Sequence, residues 1–135
     1  MAASVIPLTH ILLVEDSALV VDALRMLFEE FGHRVSVAGT VAETVAVARR
    51  ERPDVMLLDL GLPDGNGLAA LEQLVAEGAA PRVTFALTGD DSAAVLARCA
   101  AAGCHELLVK PVSPRVLLSK VSEAMADSIP REQGS

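Results

Sequence analysis

The chain has 135 residues, 52% of them hydrophobic and 21% charged, a balance that fits one domain with its own core and excludes intrinsic disorder. Eighteen acidic side chains against 11 basic ones give a formal net charge of −7, so the basic footprint that nucleic acid and anionic membranes select is missing. Phe28, Phe31 and Phe85 are the only aromatics, too few for platforms that stack single-stranded bases.

Short apolar runs alternate with amphipathic stretches. The first run, Ile11 to Val14, ends in Glu15-Asp16. Ser17 then caps a helix expected to place Val20, Leu24, Leu27, Phe28 and Phe31 on one face, with Gly32 as its stop. A second run, Val35 to Ala38, leads to Thr40, which forms a capping box with Glu43 for a helix burying Val41, Val45 and Ala48 and stopping before Pro53. The third run, Val55 to Leu58, continues into Asp59 and then into Gly61-Leu62-Pro63-Asp64-Gly65-Asn66-Gly67, a loop by composition. A helix follows from about Leu68 to Glu77. Val83 to Leu87 forms the fourth run and ends at Thr88-Gly89-Asp90-Asp91, where the two aspartates are expected to cap a helix of about Ser92 to Ala102. The fifth, Leu107 to Val109, ends at Lys110-Pro111. Ser113 and Pro114 then serve as N-cap and first residue of a closing helix with Leu117, Val121 and Met125 inward.

Five strands, each followed by a helix, are the pattern of βαβ units. Because the runs are continuously apolar, each strand is covered on both faces, as in a parallel sheet, and right-handed crossovers put helices on both sides. The expected fold is an α/β (βα)5 doubly wound domain.

The polar residues at the strand ends carry the chemistry. Glu15 and Asp16 close strand one, Asp59 strand three, Thr88 strand four and Lys110 strand five, and in an open α/β sheet those carboxyl ends share one rim, where ligands bind. Three carboxylates converging at ~5 Å repel by about 3 kcal/mol per pair at an effective dielectric near 20. One lysine does not neutralise that; a hard divalent cation does, and Mg²⁺ suits oxygen ligands. A carboxylate beside a cation and an ammonium is equipped to form an aspartyl phosphate. Thr88 and Lys110 are placed to hold the arriving phosphoryl oxygens. Taken singly, each of these residues reads more simply as a helix cap, a solvated strand end or a turn residue, and Asp64 as a turn residue beside Pro63 and Gly65.

Other chemistries lack their residues. There is no G-x-x-x-x-G-K-[ST] loop, Gly65-Asn66-Gly67 is not a dinucleotide fingerprint, and His10, His33 and His105 form no metal pair. No nucleophile elbow is present. Cys99 and Cys104 match neither a disulfide framework nor zinc spacing and read as thiols in a reducing cytosol. No basic residue precedes Arg25, and Glu43 or Arg98 interrupts the apolar stretches before ~20 residues accumulate. The expectation is a soluble, cytoplasmic chain.

The chain resembles the receiver domain of bacterial two-component response regulators, through Leu12-Leu13-Val14-Glu15-Asp16-Ser17, the stretch Asp54 to Gly67 around Asp59, Leu87-Thr88-Gly89 and Val109-Lys110-Pro111. The resemblance covers about residues 8–126 and leaves 127–135 as a polar tail. It implies a flavodoxin-like fold with strand order 2-1-3-4-5. It implies that Asp59 accepts a phosphoryl group from a histidine kinase or histidine phosphotransfer protein. Asp16, Asp59 and the Gly61 carbonyl would then ligate Mg²⁺, with Glu15 acting mainly through a bound water. Thr88 and Lys110 would bind the phosphoryl group, and a cis Lys110–Pro111 bond would aim the lysine. The same resemblance implies a switch in which Thr88 moves the face made by helix four, strand five and helix five, for a downstream protein or a second copy. Leu107 stands where the family commonly has Tyr or Phe, so the usual coupling of that threonine to an aromatic is not available here. Glu15 replaces the commoner Asp of the acidic pair.

Three alternatives stay open at this point. The chain could be a receiver cut from the C-terminus of a hybrid sensor histidine kinase, a pseudo-receiver that only binds, or a Mg²⁺-dependent phosphatase; for the last, Gly61 stands where a second acid/base carboxylate would be needed. As a receiver it is no enzyme beyond its own phosphotransfer and dephosphorylation. Two apolar triplets, Leu19-Val20-Val21 and Val116-Leu117-Leu118, are too long for one buried helix face, so part of each is expected on the surface. There, helices one and five would meet the phosphodonor, through Val20 and Leu118.

Overall fold

The computed structural model describes residues 9–128. In chain order the elements are β1 (His10–Val14), α1 (Ala18–Glu30), β2 (Arg34–Ala38), α2 (Val41–Glu51), β3 (Val55–Asp59), β4 (Gly61–Leu62), β5 (Gly65–Asn66), α3 (Leu68–Ala76), β6 (Val83–Thr88), α4 (Ala93–Ala102), β7 (Glu106–Val109) and α5 (Pro114–Ser128). The five long strands form one parallel sheet in the order β2-β1-β3-β6-β7. Counting those strands alone, this is the expected 2-1-3-4-5 arrangement, and the fold is flavodoxin-like. The segment expected as a plain loop, residues 61–67, contains instead the small antiparallel hairpin β4–β5.

Strand side chains alternate between faces, and here both faces are apolar. Leu12, Val14, Met56, Leu58 and Ala86 pack with α2, α3 and α4 through Val45, Ala48, Leu71, Leu74, Cys99 and Ala102. Ile11, Leu13, Leu57, Phe85 and Leu87 pack on the other side with α1 and α5 through Leu24, Phe28, Leu117 and Val121. Burying each such large side chain contributes roughly 1.5–3 kcal/mol. That double cover explains why the strands read as unbroken apolar runs.

Most helix ends follow their sequence signals. Thr40 Oγ1 accepts the Glu43 amide at 3.0 Å, while the Glu43 carboxylate turns back to the Gly39 amide at 2.7 Å. Gly32 takes φ 88° and lets the His33 amide reach the Phe28 carbonyl, closing α1. Two expectations need correction. Helix α1 buries Val21, Leu24 and Phe28, whereas Val20 is 42% and Phe31 60% exposed. Apolar residues occupy both sides of this helix, so periodicity alone leaves its rotation open, and packing on β1 and β2 decides it. At α4 the cap is Ser92, whose hydroxyl accepts from Val95, and Asp90 instead accepts the Ser92 amide at 2.9 Å. Asp90 lies two residues ahead of the cap, within reach of that amide rather than of the helix.

Candidate functional site

The sheet's hydrogen-bond ladders run one residue past the strand ends and so deliver the polar residues together. The Glu15 amide bonds the Ala38 carbonyl at 3.0 Å, the Leu60 amide bonds Leu87 at 3.1 Å, and the Lys110 amide bonds Thr88 at 2.8 Å. Asp59 pairs in register with Leu87, and Thr88 with Val109. Oxygen atoms of Glu15, Asp16 and Asp59 consequently lie within 4.8 Å of one another. Glu15 and Asp59 are buried and Asp16 is exposed at the mouth.

Asp59 is held from two sides: Lys110 Nζ lies 3.0 Å from its Oδ2, and the Gly61 amide donates to its Oδ1 at 3.1 Å. The lysine also lies 3.7 Å from Glu15 Oε1, whose other oxygen accepts the Ser17 amide at 3.0 Å. Burial pushes the Glu15 carboxyl above its usual range, against the Ser17 amide, and the neighbouring Asp59 charge adds to the push. Three clustered carboxylates with a single ammonium beside two of them leave an excess of negative charge, and an all-oxygen donor set of this spacing fits a hard divalent cation.

Of the other expected residues, Thr88 is half-buried at the end of β6, and its hydroxyl accepts the Asp90 amide at 3.1 Å. The Lys110–Pro111 bond is cis. Leu107 is half-buried and packs toward the α2–α3–α4 side of the sheet. Gly67 is a residue that sequence reasoning passed over. A Cβ there would stand 2.3 Å from the Asp59 carbonyl oxygen, so the backbone behind Asp59 requires glycine. Its φ of −55° is ordinary; the tight approach to Asp59 is visible only in three dimensions.

Beside the site, α1 and α5 flank an open apolar groove of about 670 Å³, lined by Leu19, Val20, Ala23, Val112, Pro114 and Leu117 and reaching Lys110 and Glu15. The expected exposure of both triplets holds: Leu19 is 83% and Val116 42% exposed. Leu118, however, does not share this groove. It is half-buried and turns toward Phe31 and His33, because α5 presents Leu117 to the sheet and its neighbour one position on lies about 100° around the helix.

The family model of the response regulator receiver domain matches residues 11–122, and the chain belongs to that family. It is similar to protein PilH of Pseudomonas aeruginosa, with 34% identity over 122 residues covering 88% of this chain and 99% of that protein. It is 31% identical to the KDP operon transcriptional regulatory protein KdpE of Escherichia coli over 87% of this chain, but spans only 52% of KdpE. Among solved structures, a CheY-like receiver domain protein from Methanospirillum hungatei superposes with a TM-score of 0.82 at 30% identity, covering 90% of this chain and 96% of that one. The receiver domain of the sensor histidine kinase PA1611 from Pseudomonas aeruginosa, solved with a magnesium ion coordinated in its active-site cleft, superposes with a TM-score of 0.77 at 26% identity, over 89% of this chain and 99% of that one. Among the described residues no helix is long and apolar enough to cross a membrane.

Proposed function

We propose that this receiver, residues 8–126, is a phosphoacceptor in two-component signalling and that Asp59 takes a phosphoryl group from the phosphohistidine of a histidine kinase or phosphotransfer protein. The tail expected at 127–135 has no described side chain. The observation that carries the reading is the setting of Asp59: a buried carboxylate fixed between Lys110 Nζ at 3.0 Å and the Gly61 amide at 3.1 Å, with two further carboxylates in reach. Mg²⁺ held by Asp16, Asp59, the Gly61 carbonyl and, through water, Glu15 would supply positive charge that the lone lysine lacks.

In the transfer, a carboxylate oxygen of Asp59 forms the bond to phosphorus as the bond from phosphorus to the donor imidazole nitrogen breaks. Lys110 moves its charge from the carboxylates to a phosphoryl oxygen. The Thr88 hydroxyl accepts from the Asp90 amide, so its own proton is free to be donated to a second phosphoryl oxygen. The groove of Leu19, Val20 and Val112 opens directly beside Lys110 and is where we place the donor. Leu96, Val109 and Val116, on α4, β7 and α5, are 48%, 46% and 42% exposed and offer the face for a downstream protein or second copy. With Leu107 in place of an aromatic, the switch reaches that face through the backbone after Thr88 and the packing around Leu107. The catalysis is confined to the chain's own phosphate, in the cytoplasm.

Incubation with acetyl phosphate and Mg²⁺ tests the reading by intact mass. One gain of about 80 Da, absent in Asp59→Asn and dependent on the metal, is expected. In the same assay Val20→Glu keeps this labelling and slows transfer from a phosphorylated histidine donor. No gain, or continuous turnover of phosphate esters, overturns the proposal.

A further inference from the structure

The site's two loops, after β1 and after β3, are bridged by the first turn of α2, which supplies none of the proposed ligands. Gly39, just before that turn, lies against the acidic pair: a Cβ on it would stand 3.7 Å from the Glu15 carbonyl oxygen and 3.9 Å from Asp16 Cα. On the other side, Asp64 sits in the Pro63-Asp64 turn of the β4–β5 hairpin, whose first residue is Gly61. Its carboxylate leaves the hairpin and accepts the Val41 amide at 2.7 Å and the Ala42 amide at 3.2 Å.

An α-helix begins with backbone amides that have no partner inside the helix. In α2 the first two are satisfied from another element, and the third by Thr40 at 3.0 Å. The hairpin also passes close to this turn: a Cβ on Gly65 would stand 3.9 Å from Val41 Cγ2. The paired amides, Val41 first, hold the Asp64 carboxyl below its usual range, so the anion lies at the positive end of the helix. A turn residue would need none of this, since the contact joins positions 23 and 22 apart in sequence.

We infer that Asp64 is a positioning residue: by clamping the hairpin to the first turn of α2 it fixes the Gly61 segment at a set distance from the Glu15–Asp16 loop, and so sets the affinity of the site for a divalent cation. Gly61 has no side chain to lock its own conformation, and β4–β5 is only two residues long on each side. An isolated hairpin of that size is not stable by itself, so its place must come from outside. The inference rests on the magnesium reading of the site above.

The experiment is titration of the full chain with Mg²⁺ by calorimetry, alongside thermal unfolding of each variant. Loss of a partner that orients a metal ligand costs about 10-fold in affinity, and that weakening is expected for Asp64→Ala. Asp64→Asn, which keeps one acceptor oxygen, recovers part of it. Thr40→Ala is the control, since it removes a cap from the same helix without touching the hairpin; it lowers the unfolding temperature and leaves Mg²⁺ affinity unchanged. Wild-type affinity in Asp64→Ala, or equal weakening in Thr40→Ala, overturns the inference while leaving the metal site standing. Failure of the wild type itself to bind Mg²⁺ overturns the reading of the site on which the inference rests. If Asp64→Ala does not fold, the comparison of Asp64→Asn with Thr40→Ala decides in the same terms.

Discussion

The two ends of the sheet handle charge in opposite ways. At the amino ends of the strands, the His10 amide donates to Asp54 at 2.9 Å, and His10 Nε2 meets Ser36 Oγ at 2.7 Å, which in turn donates to Glu51 at 2.6 Å. Glu51 also faces Arg50 at 2.9 Å and Arg34 at 3.6 Å. Burial, reinforced by Arg34, pushes the His10 imidazole below its usual range and favours its neutral form. Every acid there has a donor or a cation. At the carboxyl ends, Glu15, Asp16 and Asp59 cluster with one ammonium, Lys110, which reaches Glu15 and Asp59. One rim is finished by folding, and the other is left short of positive charge. On the proposed reading, that deficit is the place where a cation and a phosphoryl group would bind.

The largest test of this contrast removes a charge from the deficient rim. Without metal, Asp59→Asn relieves two repulsions and one desolvated anion while losing the lysine contact, so it is expected to raise the unfolding free energy by about 1–3 kcal/mol. Urea denaturation with and without Mg²⁺ checks it: the cation stabilises the wild type and leaves the variant nearly unmoved. A less stable variant would mean that Lys110 already balances the site. Next in size is Ser36→Ala at the finished rim, which removes the hydroxyl linking His10 to Glu51 while Arg50 and Arg34 stay beside Glu51, and is expected to cost about 1 kcal/mol. Its Mg²⁺ response should equal that of the wild type; a changed response would show that the two rims are coupled through β1.

How much of this was readable before the fold was known follows from where each signal resides. The strands and their order come from apolar runs and right-handed crossovers, both local or general constraints. Glu15, Asp16, Asp59 and Lys110 are readable because polar residues at strand ends have one rim to occupy in a parallel sheet. The rotation of α1 was not, since Leu19, Val20, Val21, Leu24, Leu27 and Phe28 give it two apolar sides. Asp64 does sit in the turn that its neighbours imply, and only its long-range contact escapes the sequence. Beside Pro63 and Gly65 its type is fully explained by a turn, and nothing in the local text points to the amides of Val41 and Ala42. Gly67 was missed because glycine in a loop is ordinary, while the Asp59 carbonyl behind it belongs to tertiary structure.

The smallest test uses acid, because two glutamates are moved in opposite directions. Burial raises Glu15 at the deficient rim, so the folded state holds that proton more tightly than the unfolded chain does. Its contribution to stability is therefore favourable in acid and is lost as pH rises through the raised value. Glu77, on the surface at the end of α3, is pulled down to about 2 by Arg49 and Gln73. Its contribution is present above the ordinary carboxylate value of 4.5 and is lost as pH falls toward 2. Unfolding curves of the metal-free chain, taken from about pH 2 up through the range above 4.5 in which Glu15 titrates, should thus separate the variants. Glu15→Gln removes the penalty that grows with pH and steepens the loss of stability on acidification, whereas Glu77→Gln flattens it. The Glu77 effect should be small and should shrink in high salt, because the Arg49 pair is solvent-exposed. The Glu15 effect should survive salt, since burial and not a screened surface charge is its main cause. Equal salt sensitivity of the two would mean that the deficient rim is no drier than the surface, and the contrast between the ends of the sheet would lose its physical basis.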